Sequence, residues 1–294
     1  MRRQTVAIAV VGLAIILIGV YTWAKSPAKP AHGGAGAATP SVSASGSPSG
    51  GSPTPSPTTK PSPTPTKPKP TSTTTKPKPP GSTRPGGTGH GPGGSMMYTG
   101  TDGVALTFDD GPDRTYTPQI LDLLKKYKIH ATFCLIGKKA RDNPDLVRRI
   151  YNEGHTLCNH SWAHDLHLGD NVEGHIRADM QMTNDAIHAA VPGAKISYFR
   201  APGGNFTTQM VQIAASLGMK SIYWQVDPRD WDTPTYGTGS SMASHIIGVV
   251  ERNVRRGGII LSHDAGPRSG TVLAYKTLIP WLQKVGYKLI PLPA

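Results

Sequence analysis

The residues able to do chemistry cluster at the ends of short apolar runs. GVALTF (103–108) leads into Asp109-Asp110-Gly111-Pro112, and HTLCN (155–159) leads into His160-Ser161-Trp162-Ala163-His164. ISYFR (196–200) ends on Arg200 and is followed by Ala201-Pro202-Gly203-Gly204. KSIYWQV (220–226) precedes Asp227-Pro228-Arg229-Asp230-Trp231, and GIILSH (258–263) closes with Leu261-Ser262-His263 before Asp264. Each piece alone has an ordinary reading. Asp109 and Asp110 can cap a helix or shape a turn with Gly-Pro. With eleven His in the chain, an H-x-x-x-H spacing arises readily by chance. Asp227 and Asp230 fit turns, and His263 fits a hydrogen-bonded histidine at a strand end. His160 and His164 are four apart, a separation that brings two imidazoles to one side of a helical turn.

Together the pieces say more. Two His and one carboxylate leave a coordination position open, which is the ligand set of a catalytic rather than a structural zinc site. A second carboxylate beside that ligand can take a proton from an activated water, a further His can protonate a leaving group, and an Arg can aim the base. This is a complete set of parts for hydrolysis.

Such groups must be delivered by a scaffold. The chain from about Met97 onward has some 198 residues, enough for one buried core. Strand-like runs at 103–108, 130–137, 155–159, 196–200, 220–226, 258–263 and 287–292 alternate with helical patterns. The helical patterns carry Ile120, Leu121, Leu123 and Leu124, then Leu146, Val147 and Ile150 with Gly154 as the stop. They continue through 173–190, 210–217, 242–254 and 272–284. Repeated β–α units predict an α/β fold with a parallel sheet and outer helices, and functional groups in such folds gather where strands end. Seven strands suit an open sheet or an incomplete barrel, and periodicity does not choose between them. The segment 234–241 (PTYGTGSS) has no pattern that assigns it.

Ahead of this domain the composition changes. Residues 1–101 contain no Asp or Glu and hold ten of the 31 Lys and Arg, so the rest carries 21 basic against 18 acidic residues, about +3 of the formal +13. The high overall charge therefore does not describe the folded part, which weighs against nucleic-acid binding. Residues 5–24 (TVAIAVVGLAIILIGVYTWA) are uncharged, follow Arg2 and Arg3, and end on Tyr21 and Trp23. That length suits a single membrane crossing with the catalytic part outside the cytoplasm. A cleaved signal segment, giving a secreted protein, is the alternative for 1–25. Residues 26–96 are rich in Pro, Ser, Thr and Lys and lack large apolar side chains, which predicts a disordered linker. Cys134 and Cys158 form no C-x-x-C, and whether they pair or stay as buried thiols is open at this level.

Over residues 100–294 the sequence resembles the polysaccharide deacetylases, carbohydrate esterase family four, whose domain carries the NodB-homology name. The resemblance rests on TFDDGP (107–112), HSWAH (160–164), RAPGG (200–204), DPRDW (227–231) and LSH (261–263), in that order. It implies an irregular (β/α) barrel of about seven strands. It implies Asp109 as general base, Asp110, His160 and His164 as ligands of Zn2+ or another divalent transition metal, and Arg200 paired with Asp109. It further implies His263 as general acid held by Asp230, Trp231 and Leu261 as walls of an acetyl pocket, and the Gly203 N–H as oxyanion donor. The partner implied is an acetylated glycan polymer, acted on by a monomer: peptidoglycan first, chitin oligomers or acetylated xylan as alternatives. The chain departs from the family pattern at Asp165-Leu166, which follow His164 directly where members often have one residue between. It also has Ala201 and Gly203 where many members carry Pro and a bulky aromatic, which predicts a groove opened on one side.

Overall fold

The computed structural model describes residues 89–293. The expected membrane or signal segment at 1–25 and most of the linker expected at 26–96 lie outside the described residues. Among the described residues no helix is long and apolar enough to cross a membrane.

Seven strands alternate with eight helices among the described residues. The strands are β1 (Val104–Asp109), β2 (Thr132–Leu135), β3 (Thr156–Asn159), β4 (Ile196–Phe199), β5 (Lys220–Ser221), β6 (Ile259–His263) and β7 (Leu289–Ile290). The helices are α1 (Thr117–Lys126), α2 (Gly137–Asp142), α3 (Pro144–Asn152), α4 (Glu173–Ala190), α5 (Thr208–Ser216), α6 (Thr233–Tyr236), α7 (Gly239–Asn253) and α8 (Ser269–Lys284). All strand pairs are parallel, in the order β5-β4-β3-β2-β1-β6, with β7 beside the start of β1. Bridges from Met96 to Ile222 and from Val226 to Ile260 link the two sheet edges, so the sheet curls into part of a barrel.

Burial explains the curl. Along β1, Val104, Leu106 and Phe108 face the helices and join the main core, which also takes Ile120, Leu121 and Leu124 of α1. Strand alternation sends Ala105, Thr107 and Asp109 to the other face. There Ala105, Cys134, Cys158, Tyr198, Ile222, Ile259 and Leu292 form a second, smaller apolar cluster inside the curl. Both faces are dry, so the strands read as continuous apolar runs in the sequence. One register row crosses five of them: Asp109 lies beside His263 on one side and Cys134 on the other, Cys134 beside Cys158, and Cys158 beside Tyr198. Cys134 and Cys158 are joined by a disulfide between adjacent strands, and both are fully buried.

Three local expectations differ from the structure. The strand expected over 220–226 is regular only at Lys220–Ser221. Tyr223 and Trp224 stack on each other with ring centroids 3.8 Å apart, and consecutive side chains on one side cannot belong to a pleated strand. The strand expected to reach residue 137 stops at Leu135, because Gly137 N–H and Lys138 N–H bond to the carbonyls of Ser161 and Trp162 instead of a neighbouring strand. Ordered chain begins ahead of Met97: Met96 donates to the Ser221 carbonyl at 2.9 Å and accepts from Tyr223 N–H at 2.7 Å. The segment 234–241 holds the end of α6 and the start of α7, with Asp232 capping α6.

Phe108 is fully buried, 5.3 Å from the Phe133 ring and 5.2 Å from that of Tyr275. Phe108→Ala is expected to destabilise the domain by about 3–5 kcal/mol, read from the midpoint of denaturant unfolding.

Candidate active site

The C-terminal ends of β1, β3, β4 and β6 and the segment after β5 meet at one end of the curled sheet. After β1 the chain turns through Asp110, a non-glycine residue at φ 73°, and passes a cis Gly111–Pro112 bond. Asp109 stays on the inner face and is 2 % exposed. Its Oδ1 accepts from Arg200 Nη1 at 2.6 Å. Arg200, at the end of β4, is fully buried and also donates to Thr107 Oγ1 (2.9 Å) and to the Tyr223 carbonyl (2.9 Å). A buried guanidinium is tolerated only with such partners.

The HSWAH segment does not form the helical turn that its spacing allows. It is a loop in which Ser161 (φ 63°) and His164 (φ 57°) take left-handed backbone angles. The loop is tied down locally. Asn159 Oδ1 accepts from Ser161 N–H, Ser161 Oγ accepts from His164 N–H, and Asp179 of α4 accepts from Trp162 N–H. The two imidazoles come together all the same, with centroids 5.0 Å apart. His160 Nε2 lies 3.6 Å from Asp110 Oδ1, and His164 Nε2 lies 3.4 Å from the same oxygen.

These three side chains fit a divalent cation. One ligand atom from each lies within 4.8 Å of the others. Asp110 Oδ1 is buried with no hydrogen-bond partner. His160 Nδ1 lies 2.8 Å from the Arg200 carbonyl, which can only accept, so Nδ1 carries a proton and Nε2 is the ring nitrogen turned toward the carboxylate. Burial works against ionisation of Asp110, but the contact with His160 and the charges of His263, His160 and His164 hold its pKa well below the usual carboxylate range.

On the opposite side of Asp109, His263 Nδ1 bonds Asp230 Oδ1 at 2.6 Å, and Asp230 Oδ2 accepts from His263 N–H and Thr271 Oγ1. Burial disfavours the imidazolium. The Asp230 carboxylate outweighs it, with Asp110 and Asp109 adding to the field, and the His263 pKa is pushed up to about 9. Asp264, next in the chain, is fully buried, and burial together with the charges of Asp110 and Asp109 raises its pKa to about 7.

A cavity of about 430 Å³ opens between these groups. Asp109, Asp110, His160, His164 and His263 line it, as do Gly203, Trp231 and Leu261, while Arg200 and Asp230 stand behind as supports. The expectation for Ala201 needs correction: it is fully buried and faces no groove. Only Gly203 bears on the opening, and a Cβ there would come 3.0 Å from the Leu166 side chain, which takes part of the freed space. Asn205 and Trp224 also line the cavity and were not singled out from the sequence, and Leu166 and Asp227 line it without having been assigned a site role. Trp224 sat inside a run read as buried strand. Its signal was Gly204, where any Cβ would lie 2.6 Å from the indole ring.

Removing one member of the buried pair exposes its cost. Arg200→Met leaves the Asp109 carboxylate without its guanidinium and is expected to lower unfolding free energy by about 3–5 kcal/mol. The double variant Arg200→Met, Asp109→Leu is expected to be more stable than Arg200→Met alone. Chemical denaturation of the three proteins checks both statements.

The profile of the polysaccharide deacetylase family matches residues 97–222. A chitooligosaccharide deacetylase of Sinorhizobium fredii is 36% identical over 207 residues, covering 66% of this chain and 92% of that protein. A peptidoglycan-N-acetylglucosamine deacetylase of Bacillus cereus is 37% identical over 190 residues, covering 64% of this chain and 84% of that protein. Among solved structures, a CE4 family pseudoenzyme from Bacillus anthracis is 32% identical with a TM-score of 0.58, covering 65% of this chain and 63% of that one. Likeness in fold thus extends to a protein described as a pseudoenzyme, which leaves the site residues as the ground for chemistry. With five motif loops converging on one cavity and relatives matched over most of their length, this chain belongs to the polysaccharide deacetylase family.

Proposed function

We propose that the protein is a metal-dependent deacetylase that removes N-acetyl groups from N-acetylglucosamine residues of a cell-wall glycan, with peptidoglycan as its polymer. The observation carrying this reading is the convergence of Asp110, His160 and His164 beside an Arg-paired carboxylate and an Asp-paired histidine in one cavity. The choice of polymer is supported by the relative that acts on peptidoglycan and by the N-terminal segment 5–24 with its Pro-rich tract. In this reading that segment holds the catalytic domain outside the cytoplasm, within reach of the wall. The chitooligosaccharide deacetylase relatives favour a second reading with the same chemistry on short chitin chains.

Asp110, His160 and His164 would hold the cation, and Zn2+ suits a donor set of two imidazoles and one carboxylate. Bound there, it supplies Lewis acidity that polarises the acetyl carbonyl and acidifies water. The chain's own residues do the rest. Asp109, aimed by Arg200, takes the proton of the attacking water. The Gly203 N–H faces the oxygen on which negative charge develops, a kind of donor whose loss costs about 10²–10³ in rate. His263 gives its proton to the sugar nitrogen as the C–N bond breaks, releasing acetate and a free amine. Asp230 fixes the His263 tautomer and favours its charged form. Trp231 and Leu261 enclose the methyl group, and Trp224 offers a flat apolar surface beside the sugar.

Acetate release by the full-length protein from peptidoglycan, chitopentaose and acetylxylan tests the reading. The largest kcat/KM is expected on peptidoglycan, and preference for acetylxylan would reject the N-acetyl assignment. Asp109→Asn is expected to keep its metal and lose nearly all turnover; acetate release at the wild-type rate would refute the base.

The pH dependence follows from His263. It acts as an acid, so activity falls as pH rises through its pKa. The alkaline limb of kcat/KM is expected above the ordinary 6.5 and no higher than about 9, because a cation at Asp110 removes part of the field that raises it. Asp230→Asn withdraws the largest favourable contribution and is expected to move that limb to lower pH. An unmoved limb in a pH–rate profile would be the contrary result.

A further inference from the structure

Asp264 follows His263 but does not line the cavity. Its contacts run to the other side of the site. Its N–H donates to the Asp109 carbonyl at 3.1 Å. Its Oδ2 accepts from Thr117 Oγ1 of α1 at 2.5 Å, and Thr117 Oγ1 in turn accepts from Asp113 N–H at 2.7 Å. Its carboxyl group lies flat against Gly111: a Cβ added to that glycine would stand 2.5 Å from both Asp264 oxygens. One fully buried side chain and its backbone therefore touch the residue before Asp110, the residue after it and the helix that follows. Asp110 itself sits at φ 73°, an angle that a non-glycine residue holds only when its surroundings impose it.

We propose that Asp264 is a positioning residue for Asp110. Wedged against Gly111 and tied to Thr117, its carboxyl group holds the turn at residues 109–112 in the backbone conformation that aims the Asp110 carboxylate at His160 and His164. The inference rests on the reading of those three residues as metal ligands. It makes Gly111 obligatory for a packing reason, since any side chain there displaces the wedge. It also separates Asp264 from the catalytic groups, because its side chain reaches neither the cavity nor the His263–Asp230 pair. Changing the partners that orient a metal ligand typically lowers metal affinity by about 10–100-fold.

The test is Zn2+ titration of the chelator-stripped full-length protein, read as Kd, beside thermal unfolding of the metal-free form. Asp264→Ala is expected to weaken Zn2+ binding by about 10–100-fold, whereas Asp264→Asn, which keeps the shape and an acceptor for Thr117, stays within about threefold of wild type. Thr117→Val, which removes only the hydroxyl partner, is expected to weaken binding in the same direction and serves where Asp264→Ala does not fold. Wild-type Kd in Asp264→Ala, or in Thr117→Val, overturns the assignment. So does equal weakening by Ala and Asn matched by equal loss of metal-free stability, which is what a merely structural residue would give. A wild-type protein that takes up no Zn2+ rejects the metal reading itself, and this assignment with it, and so differs from a failure confined to the variants.

Discussion

Arg200 brings a permanent positive charge into a place without water, and the catalytic end of the molecule is arranged around that fact. Its Nη1 meets Asp109 and Thr107, its Nη2 meets the Tyr223 carbonyl, and its own carbonyl receives Nδ1 of His160. One residue thus aims the Asp109 carboxylate and orients the His160 imidazole on the next strand. The charge is tolerated because β1 and the segment after β5 bring acceptors to it. Those acceptors are in place because the strands are parallel and in register. The order of the sheet and the order of the site are the same constraint seen at two scales.

Around this pair the backbone departs from ordinary angles. Five non-glycine residues among those described have positive φ, and four of them, Asp110, Ser161, His164 and Arg229, belong to the motif loops. Two of the four are in the set of side chains that converge on one point. Such angles persist only where the surroundings over-determine them. Here the surroundings are short polar ties: Asn159 and Asp179 for the histidine loop, and Asp227 for the turn at Arg229. The ties of the histidine loop sit at the end of β3 and on α4, so rigid elements bear that strain.

These features mark where the sequence could be read and where it could not. The strands were legible because both sheet faces are buried, which leaves uninterrupted apolar runs such as ALTF and IILS. The candidate residues that line the cavity were legible because functional groups in a parallel fold collect at strand ends. The stub at Lys220–Ser221 was not, since stacking of Tyr223 on Trp224 is a contact between neighbours that no alternation pattern encodes. The path of the histidine loop was hidden too: spacing by four permits a helix, and only hydrogen bonds to Asn159 and Asp179 select the loop. The pairing of Cys134 with Cys158 depended on register between two neighbouring strands, which a separation of 24 residues does not reveal.

The far end of the chain has a place in this interior. Leu292 N–H donates to Thr132 Oγ1, Thr156 Oγ1 donates to the Leu292 carbonyl, and Tyr198 Oη donates to the Pro293 carbonyl. All three partners lie on the inner face, in the strands that carry the disulfide or flank it. A chain shortened to end at residue 290 would strip two threonines and a tyrosine of their partners in a dry layer beneath the catalytic groups. Residues 292 and 293 therefore act as a keel: a tag or reporter fused beyond them must leave both free to dock.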